Sequence, residues 1–244
     1  MFNQPIPAVT KNLLIINGLF FLATIVFGTR GIDLNVYFAA FYPESPYFDW
    51  WKVITHMFMH GSFTHILFNM FGLWMFGSTV EHTLGSKKFL ILYFFAGLGS
   101  FALFNFVNYL QVENLKPTVE VLGYNLNDFI NTTLPINHTL GDSHPEPARK
   151  LMSHYTVGMV GASGAIYGIL VAFGVLYPNA KLALIFLPIP VKAKYFIPAL
   201  IGLEFFMAVQ DYAWNPIAHF AHIGGAIIGF ILVRSWKKKL HREW

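Results

Sequence analysis

The amino-acid sequence predicts an all-α membrane protein of six transmembrane helices, the fourth of them short and carrying a serine at its start. Three observations predict it. Only 11% of the 244 residues are charged, while 55% are hydrophobic and 18% aromatic; soluble domains carry about 25% charge. Such a chain has too few polar groups to cover a water-facing surface. Its apolar residues fall into six runs, each near the ~20 residues that cross a hydrocarbon core. The basic residues gather at the ends of those runs.

The first run is Leu13 to Phe27, extendable to Asn12 and Gly28. It has no small-residue cleavage site, so it reads as a retained span and not a removed signal. Residues 31–62 follow, mixed and rich in aromatics, including Tyr37, Phe41, Tyr47, Trp50 and Trp51. Trp and Tyr favour the headgroup level, so this stretch is expected to lie in the interface. The second span runs from Phe63 to about Thr79, ending near Glu81, and the third from Lys88 to about Tyr109. Residues 112–154 then turn polar, with Pro117, Pro135, Pro145 and Pro147 as breakers, and predict an extended outer loop. The fourth run is Val157 to Tyr177, stopped by Pro178; the fifth is about Tyr195 to Val209; the sixth is Ile217 to Trp236. The whole of 1–244 reads as a single membrane domain.

Six spans place both termini on one side. With that side taken as the cytoplasm, 11 of the 16 lysines and arginines fall inside. The other five (Arg30, Lys52, Lys116, Arg149 and Lys150) fall outside. The bias obeys the positive-inside rule and puts the 112–154 loop outside. The net charge of +4 therefore reads as topology, and no nucleic-acid partner is expected. With no cysteine, disulfides and thiolate chemistry are excluded. Asn131-Thr132-Thr133 and Asn137-His138-Thr139 match glycosylation sequons, which matter only in a eukaryotic secretory setting.

Polar groups inside spans are costly and mark candidate functional sites. Three clusters qualify. Gly161-Ala162-Ser163-Gly164 opens the fourth run. The flanking glycines permit close backbone approach and a sharp turn into a helix. A helix from Ser163 to Tyr177 is only about 22 Å long at 1.5 Å per residue, short of the ~30 Å core. The serine would then lie below the outer surface, and the irregular backbone before it must be buried or line water. A helix N-terminus also offers free N–H groups to a developing oxyanion. The competing reading is a packing motif, since Gly164 and Gly168 form a GxxxG pair.

The second cluster is His222, Gly225 and Gly229 after Ala221, at spacings of three and four and so on one helix face. Packing of that face on Gly164 and Gly168 would bring His222 toward Ser163, where it could take the serine proton. A packing histidine is the alternative, and His219 is the nearest competitor for the role. The third cluster holds His60, His65 and Asn69. His65 and Asn69, four apart, share a helix face. With the Ser163 backbone N–H they can donate to an oxyanion. A metal site at His56, His60 and His65 is the rival, disfavoured because no carboxylate or cysteine stands at ligand spacing.

Together the clusters resemble the rhomboid family of intramembrane serine proteases. Gly161, Ser163 and Gly164 match its Gly-x-Ser-Gly motif. Ala221, His222, Gly225 and Gly229 match its Ala-His-x-x-Gly-x-x-x-Gly motif. His60, His65 and Asn69 match its second-span pattern. Tyr167 stands where the family has a tyrosine packed beneath the histidine, and Glu81 before Leu84-Gly85 resembles its acidic residue at the inner end of that span. The resemblance covers about residues 10–235.

It implies a Ser163–His222 dyad that cleaves transmembrane segments of membrane proteins, with His65, Asn69 and the Ser163 N–H holding the oxyanion. No cofactor or metal is implied. The implied partners are transmembrane protein substrates and the lipid bilayer, and the compact form suggests a bacterial inner membrane. No acid is expected near His222: Asp211 lies in an outer loop, and Glu204, within the fifth span, reads as an inward hydrogen bond without a role. Trp51-Lys52 departs from the family's Trp-Arg, since lysine lacks the planar bidentate fork. A non-proteolytic relative that binds membrane clients is the main competing function; such relatives usually lack the serine or histidine. A transporter would show repeats or paired broken spans, and none is evident. A metalloprotease would need His-Glu-x-x-His, which is absent.

Overall fold

The computed structural model describes residues 5–136, 140–184, 187–210 and 216–240. Each predicted apolar run contains a helix. α1 (Ala8–Gly28) starts beside Glu81, whose carboxylate accepts from Val9 N at 3.0 Å, Thr10 N at 2.7 Å and the Thr10 hydroxyl at 2.8 Å. These are the orphan N–H groups of a helix start, and an anion there also meets the positive end of the helix dipole. Residues Asn35–Phe38 (α2) and Lys52–Thr55 (α3) make single turns in the aromatic stretch. One helical rod then runs from Phe63 to Leu84: α4 (Phe63–Gly72), a π turn (Leu73–Gly77) and α5 (Ser78–Leu84). The Ser62 hydroxyl opens the rod by accepting from His65 N at 3.1 Å. Gly85, at φ +77°, makes the turn out of it, a conformation glycine adopts without steric cost.

α6 (Ser86–Val121) continues 12 residues past the expected third span and carries Pro117 within it. The extension is held from outside. Lys116 bridges Glu113 at 2.7 Å and Glu44 at 3.2 Å, and Val112 and Val119 are buried against an outer cluster. The rest of the predicted loop is likewise partly ordered into helix, as α7 (Leu126–Ile130) and α8 (Glu146–Thr156). Tyr42, Phe129, Ala148, Leu151 and Tyr155 form a small apolar core of its own. His154 on α8 meets Asn108 on α6 at 2.9 Å, and the Ser45 hydroxyl donates to Tyr155 O at 2.5 Å. The sequon at 137–139 and Asp211 lie outside the described residues.

α9 (Ser163–Leu176) is the short fourth helix. After it, Lys181–Leu184 (β1) and Leu187–Lys192 (β2) pair antiparallel, with Lys181 opposite Lys192. This hairpin is a small addition to a predominantly helical fold; a two-stranded ribbon is all edge and so tolerates Pro188 and Pro190. α10 (Ala193–Val209) and α11 (Pro216–Leu240) complete the chain. Among the described residues, α1 and α6 are long and apolar enough to cross a membrane by length and composition alone.

Glycines decide how the inner helices meet. A Cβ on Gly225 would lie 1.9 Å from Gly164 O, one on Gly229 2.3 Å from Gly168 O, and one on Gly224 2.4 Å from Gly99 O. The backbones of α6, α9 and α11 therefore touch with no side chain between them, the packing small residues permit in bilayers. Outward, Leu19, Leu22, Phe95, Phe106, Leu203, Phe205 and Phe206 are each more than half exposed. That is an apolar surface far beyond what a water-soluble monomer presents.

Candidate active site

The site starts with a backbone turn. Residues 157–160 run beside the aromatic stretch without helix: Met159 N donates to Ala40 O at 2.7 Å, and after them Gly161 N donates to His56 O at 2.9 Å. Gly161 then takes φ +121°, open to glycine and strained for other residues. The chain swings from this turn into α9, and Ser163 becomes the first helical residue.

Close contact between α9 and α11 fixes what Ser163 faces. With Gly225 and Gly229 seated on Gly164 and Gly168, His222, one turn away, is brought over Ser163. Its Nε2 lies 3.0 Å from Ser163 Oγ. Tyr167, one turn after Ser163, stacks flat on the imidazole, with ring centroids 4.3 Å apart and planes 8° apart. The ring is thus fixed in plane and position. His219 lies on the same face of α11 and turns its Nδ1 to the carboxylate that also meets His222.

Glu204 corrects the expectation that no acid stands near His222. From α10 its carboxylate Oε2 lies 3.0 Å from His222 Nδ1 and 2.6 Å from His219 Nδ1, and Oε1 accepts from the Tyr167 hydroxyl. A carboxylate only accepts, so both Nδ1 atoms carry protons here. That sets the His222 tautomer, leaving Nε2 with its lone pair toward Ser163 Oγ. The side chain is 11% exposed, and three hydrogen bonds offset much of its desolvation. The sequence did carry a signal, a lone acid inside an apolar run. What it lacked was the face of α10 on which that acid points.

The third cluster lies across the turn. A Cβ on Gly161 would meet His65 Nε2 at 2.7 Å and Asn69 Nδ2 at 3.6 Å, so both side chains border the residue two before Ser163. Asn69 Nδ2 is buried and makes no hydrogen bond to the described residues. His60 packs edge-on against His65 at 5.0 Å. His56 turns its Nδ1 to Lys52 O at 3.0 Å. Among the described residues, the His and carboxylate atoms that converge within 4.8 Å belong to Glu204, His219 and His222 instead. Lys52 anchors its loop by its own route, donating to Tyr47 O at 2.6 Å and pairing with Asp49 at 2.9 Å.

The arrangement can do one thing well. A hydroxyl at a helix start, an imidazole on it, a carboxylate behind the imidazole and the Asn69 amide beside the turn are the parts of an acyl-transfer site.

The chain matches one family model and is similar to several known proteins. The Rhomboid domain model matches residues 47–124 and 138–237. The rhomboid protease AarA of Providencia stuartii is 28% identical over 243 residues, covering 92% of this chain and 71% of its own. The putative rhomboid protease YdcA of Bacillus subtilis is 25% identical, covering 78% of this chain and 71% of its own. An uncharacterized mitochondrial rhomboid protein of Schizosaccharomyces pombe is 28% identical over 208 residues, covering 78% of this chain. The chain spans about half (52%) of that protein's length.

Proposed function

The chain belongs to the rhomboid family, and we propose that it is an intramembrane serine endopeptidase that cleaves transmembrane segments of membrane proteins. Rhomboid proteins are integral membrane proteins. The proposed architecture is one membrane domain of six spans, with the α7–α8 cap on the outer side and both termini in the cytoplasm. The proposed address is the bacterial inner membrane, supported by the bacterial relatives AarA and YdcA; mitochondrial membranes are the competing address, because several relatives are mitochondrial.

The observation that carries the reading is His222 Nε2 at 3.0 Å from Ser163 Oγ with Nδ1 on Glu204. In the proposed reaction Ser163 Oγ attacks the substrate carbonyl while its proton passes to His222 Nε2. The imidazolium is stabilised by Glu204, which is buried enough for the attraction to exceed its value in water. The oxyanion takes hydrogen bonds from the Ser163 N–H, His65 and Asn69. His222 then returns the proton to the departing amine, leaving an acyl-serine. A water, deprotonated by the same Nε2, hydrolyses the ester and restores Ser163. Gly161, Gly164, Gly225 and Gly229 support the site by bringing backbones together, and Tyr167 by holding the ring.

Cleavage of a model transmembrane substrate in liposomes tests the reading. The parent should cut it, and Ser163→Ala and His222→Ala should each lose activity by about 10³-fold or more. Cutting that survives Ser163→Ala would remove the serine from the mechanism. Silence of the parent across varied substrates would favour the client-binding function.

A further inference from the structure

The proposed reaction uses His222 and Glu204 and has no task for His219. Yet His219 makes a 2.6 Å hydrogen bond to the same carboxylate oxygen that holds His222 at 3.0 Å. His219 and His222 stand three apart on α11, so one face of that helix aims two imidazole Nδ1 atoms at one oxygen from α10. The three donor atoms lie within 4.8 Å of one another. Two imidazoles and a carboxylate are the donor set of open zinc sites, with a fourth position left for water. The supporting contact such sites need is present too: the Tyr167 hydroxyl holds the other carboxylate oxygen, which fixes the plane of the ligand. Both histidines are 20% exposed, enough for an ion to arrive from water.

We propose that Glu204, His219 and His222 form a Zn2+-class divalent metal site whose occupation switches off Ser163. Tetrahedral ligands about 2.0–2.1 Å from the ion stand roughly 3.3 Å apart. The present 2.6 and 3.0 Å separations must widen by about 0.7 and 0.3 Å to reach that spacing, and the two Nδ1 atoms, within 4.8 Å of each other, must settle at the same distance; side-chain rotation can supply these shifts. The consequence follows from the tautomer. When the His222 Nδ1 lone pair binds the ion, the neutral ring's single proton moves to Nε2. That nitrogen then points an N–H at Ser163 Oγ and has no lone pair to take the serine proton. The ion also occupies the carboxylate that would stabilise the imidazolium. Inhibition rests on the reading of Ser163 and His222 as the reactive pair; metal binding does not.

The test has two arms. In the first, Zn2+ competes between a chromophoric chelator and tag-free protein in detergent, in the Ser163→Ala background. One ion per chain is expected. His219→Ala and Glu204→Gln should each weaken it by about 10–100-fold or more, while His82→Ala, at a histidine bonded to Pro5 O, should not. Equal affinity in His219→Ala and Glu204→Gln would overturn the site. Circular dichroism confirms that each variant is folded, and the two changes come from different helices, so a folding defect in one leaves the other as the test. In the second arm, Zn2+ is titrated against substrate cleavage and reversed with a chelator, each variant scaled to its own metal-free rate. Inhibition that tracks the binding affinity and weakens in His219→Ala is expected. Binding at the site without inhibition would overturn the switch. Binding at the site in a chain that cuts nothing would uphold the metal site and count against the protease reading alone.

Discussion

The seam between α9 and α11 and the outer cap over α6 are built in opposite ways. In the seam, backbone meets backbone: Gly225 and Gly229 seat on the carbonyls of Gly164 and Gly168, and nothing larger than hydrogen fits. In the cap, side chains do the holding. Tyr155 donates to Glu44 at 3.1 Å, Lys116 bridges Glu44 and Glu113, and His154 meets Asn108. A backbone contact allows one residue type at one spacing. A side-chain contact can be made from several positions by several residues. The seam therefore sets the Ser163–His222 distance, while the cap is replaceable in detail.

That contrast breaks first at the glycines. Gly225→Val puts a side chain into the α9 backbone and should destabilise the protein by about 3 kcal/mol, with loss of substrate cleavage, because the same displacement lifts His222 from Ser163. Gly202→Ala on α10, where a Cβ meets nothing within 4 Å, should be neutral or stabilise by up to about 1 kcal/mol. Thermal unfolding in detergent compares the two. Equal effects would mean the seam is not close-packed.

A smaller effect belongs to Glu204. Glu204→Gln keeps the shape but removes the charge that faces the imidazolium, and kcat should fall by about 100-fold with KM little changed. A fall confined to KM would place Glu204 in substrate binding.

How much of this was legible follows the same division. Ser163, His222, Gly161, Gly164, Gly225 and Gly229 could be read because close approach leaves a fixed spacing in the sequence. The start of α9 at Ser163 was readable from the glycine turn before it. Glu204 was visible as an acid in an apolar run, but its partners sit on other helices and no spacing links them. The extension of α6 was hidden by Pro117. A proline deletes one N–H, and ion pairs such as Lys116–Glu113 and burial of Val119 on the cap outweigh the loss. The hairpin after α9 was hidden for the same reason, its prolines being harmless on edge strands.

The cap should yield more gently. Glu44→Gln weakens one ion pair and one hydrogen bond, both partly exposed, and should cost about 1 kcal/mol. Its visible effect should be faster amide exchange in 42–48 and 146–156, with cleavage chemistry intact. Loss of cleavage with unchanged exchange would make Glu44 part of the site.

The same region also carries a pH dependence. Burial holds His154 down to about 4, and Lys150 adds to the shift. The folded cap thus keeps a neutral imidazole that an opened cap would protonate near pH 6.5. The opened state binds more protons between those values, so cap stability is full above pH 6.5 and falls as pH drops toward 4. Amide exchange of α8, corrected for its intrinsic pH dependence, should rise over that window in the parent and stay flatter in His154→Asn. A flat parent profile would show the histidine to be solvated.

The central claim is that the seam delivers a reactive serine. Labelling with a fluorophosphonate probe, mapped by peptide mass spectrometry, tests it most directly. The adduct should fall on Ser163 in the parent and vanish in His222→Ala, with Gly225→Val labelled little or not at all. An adduct on another residue, or undiminished labelling of Ser163 without His222, would contradict the account.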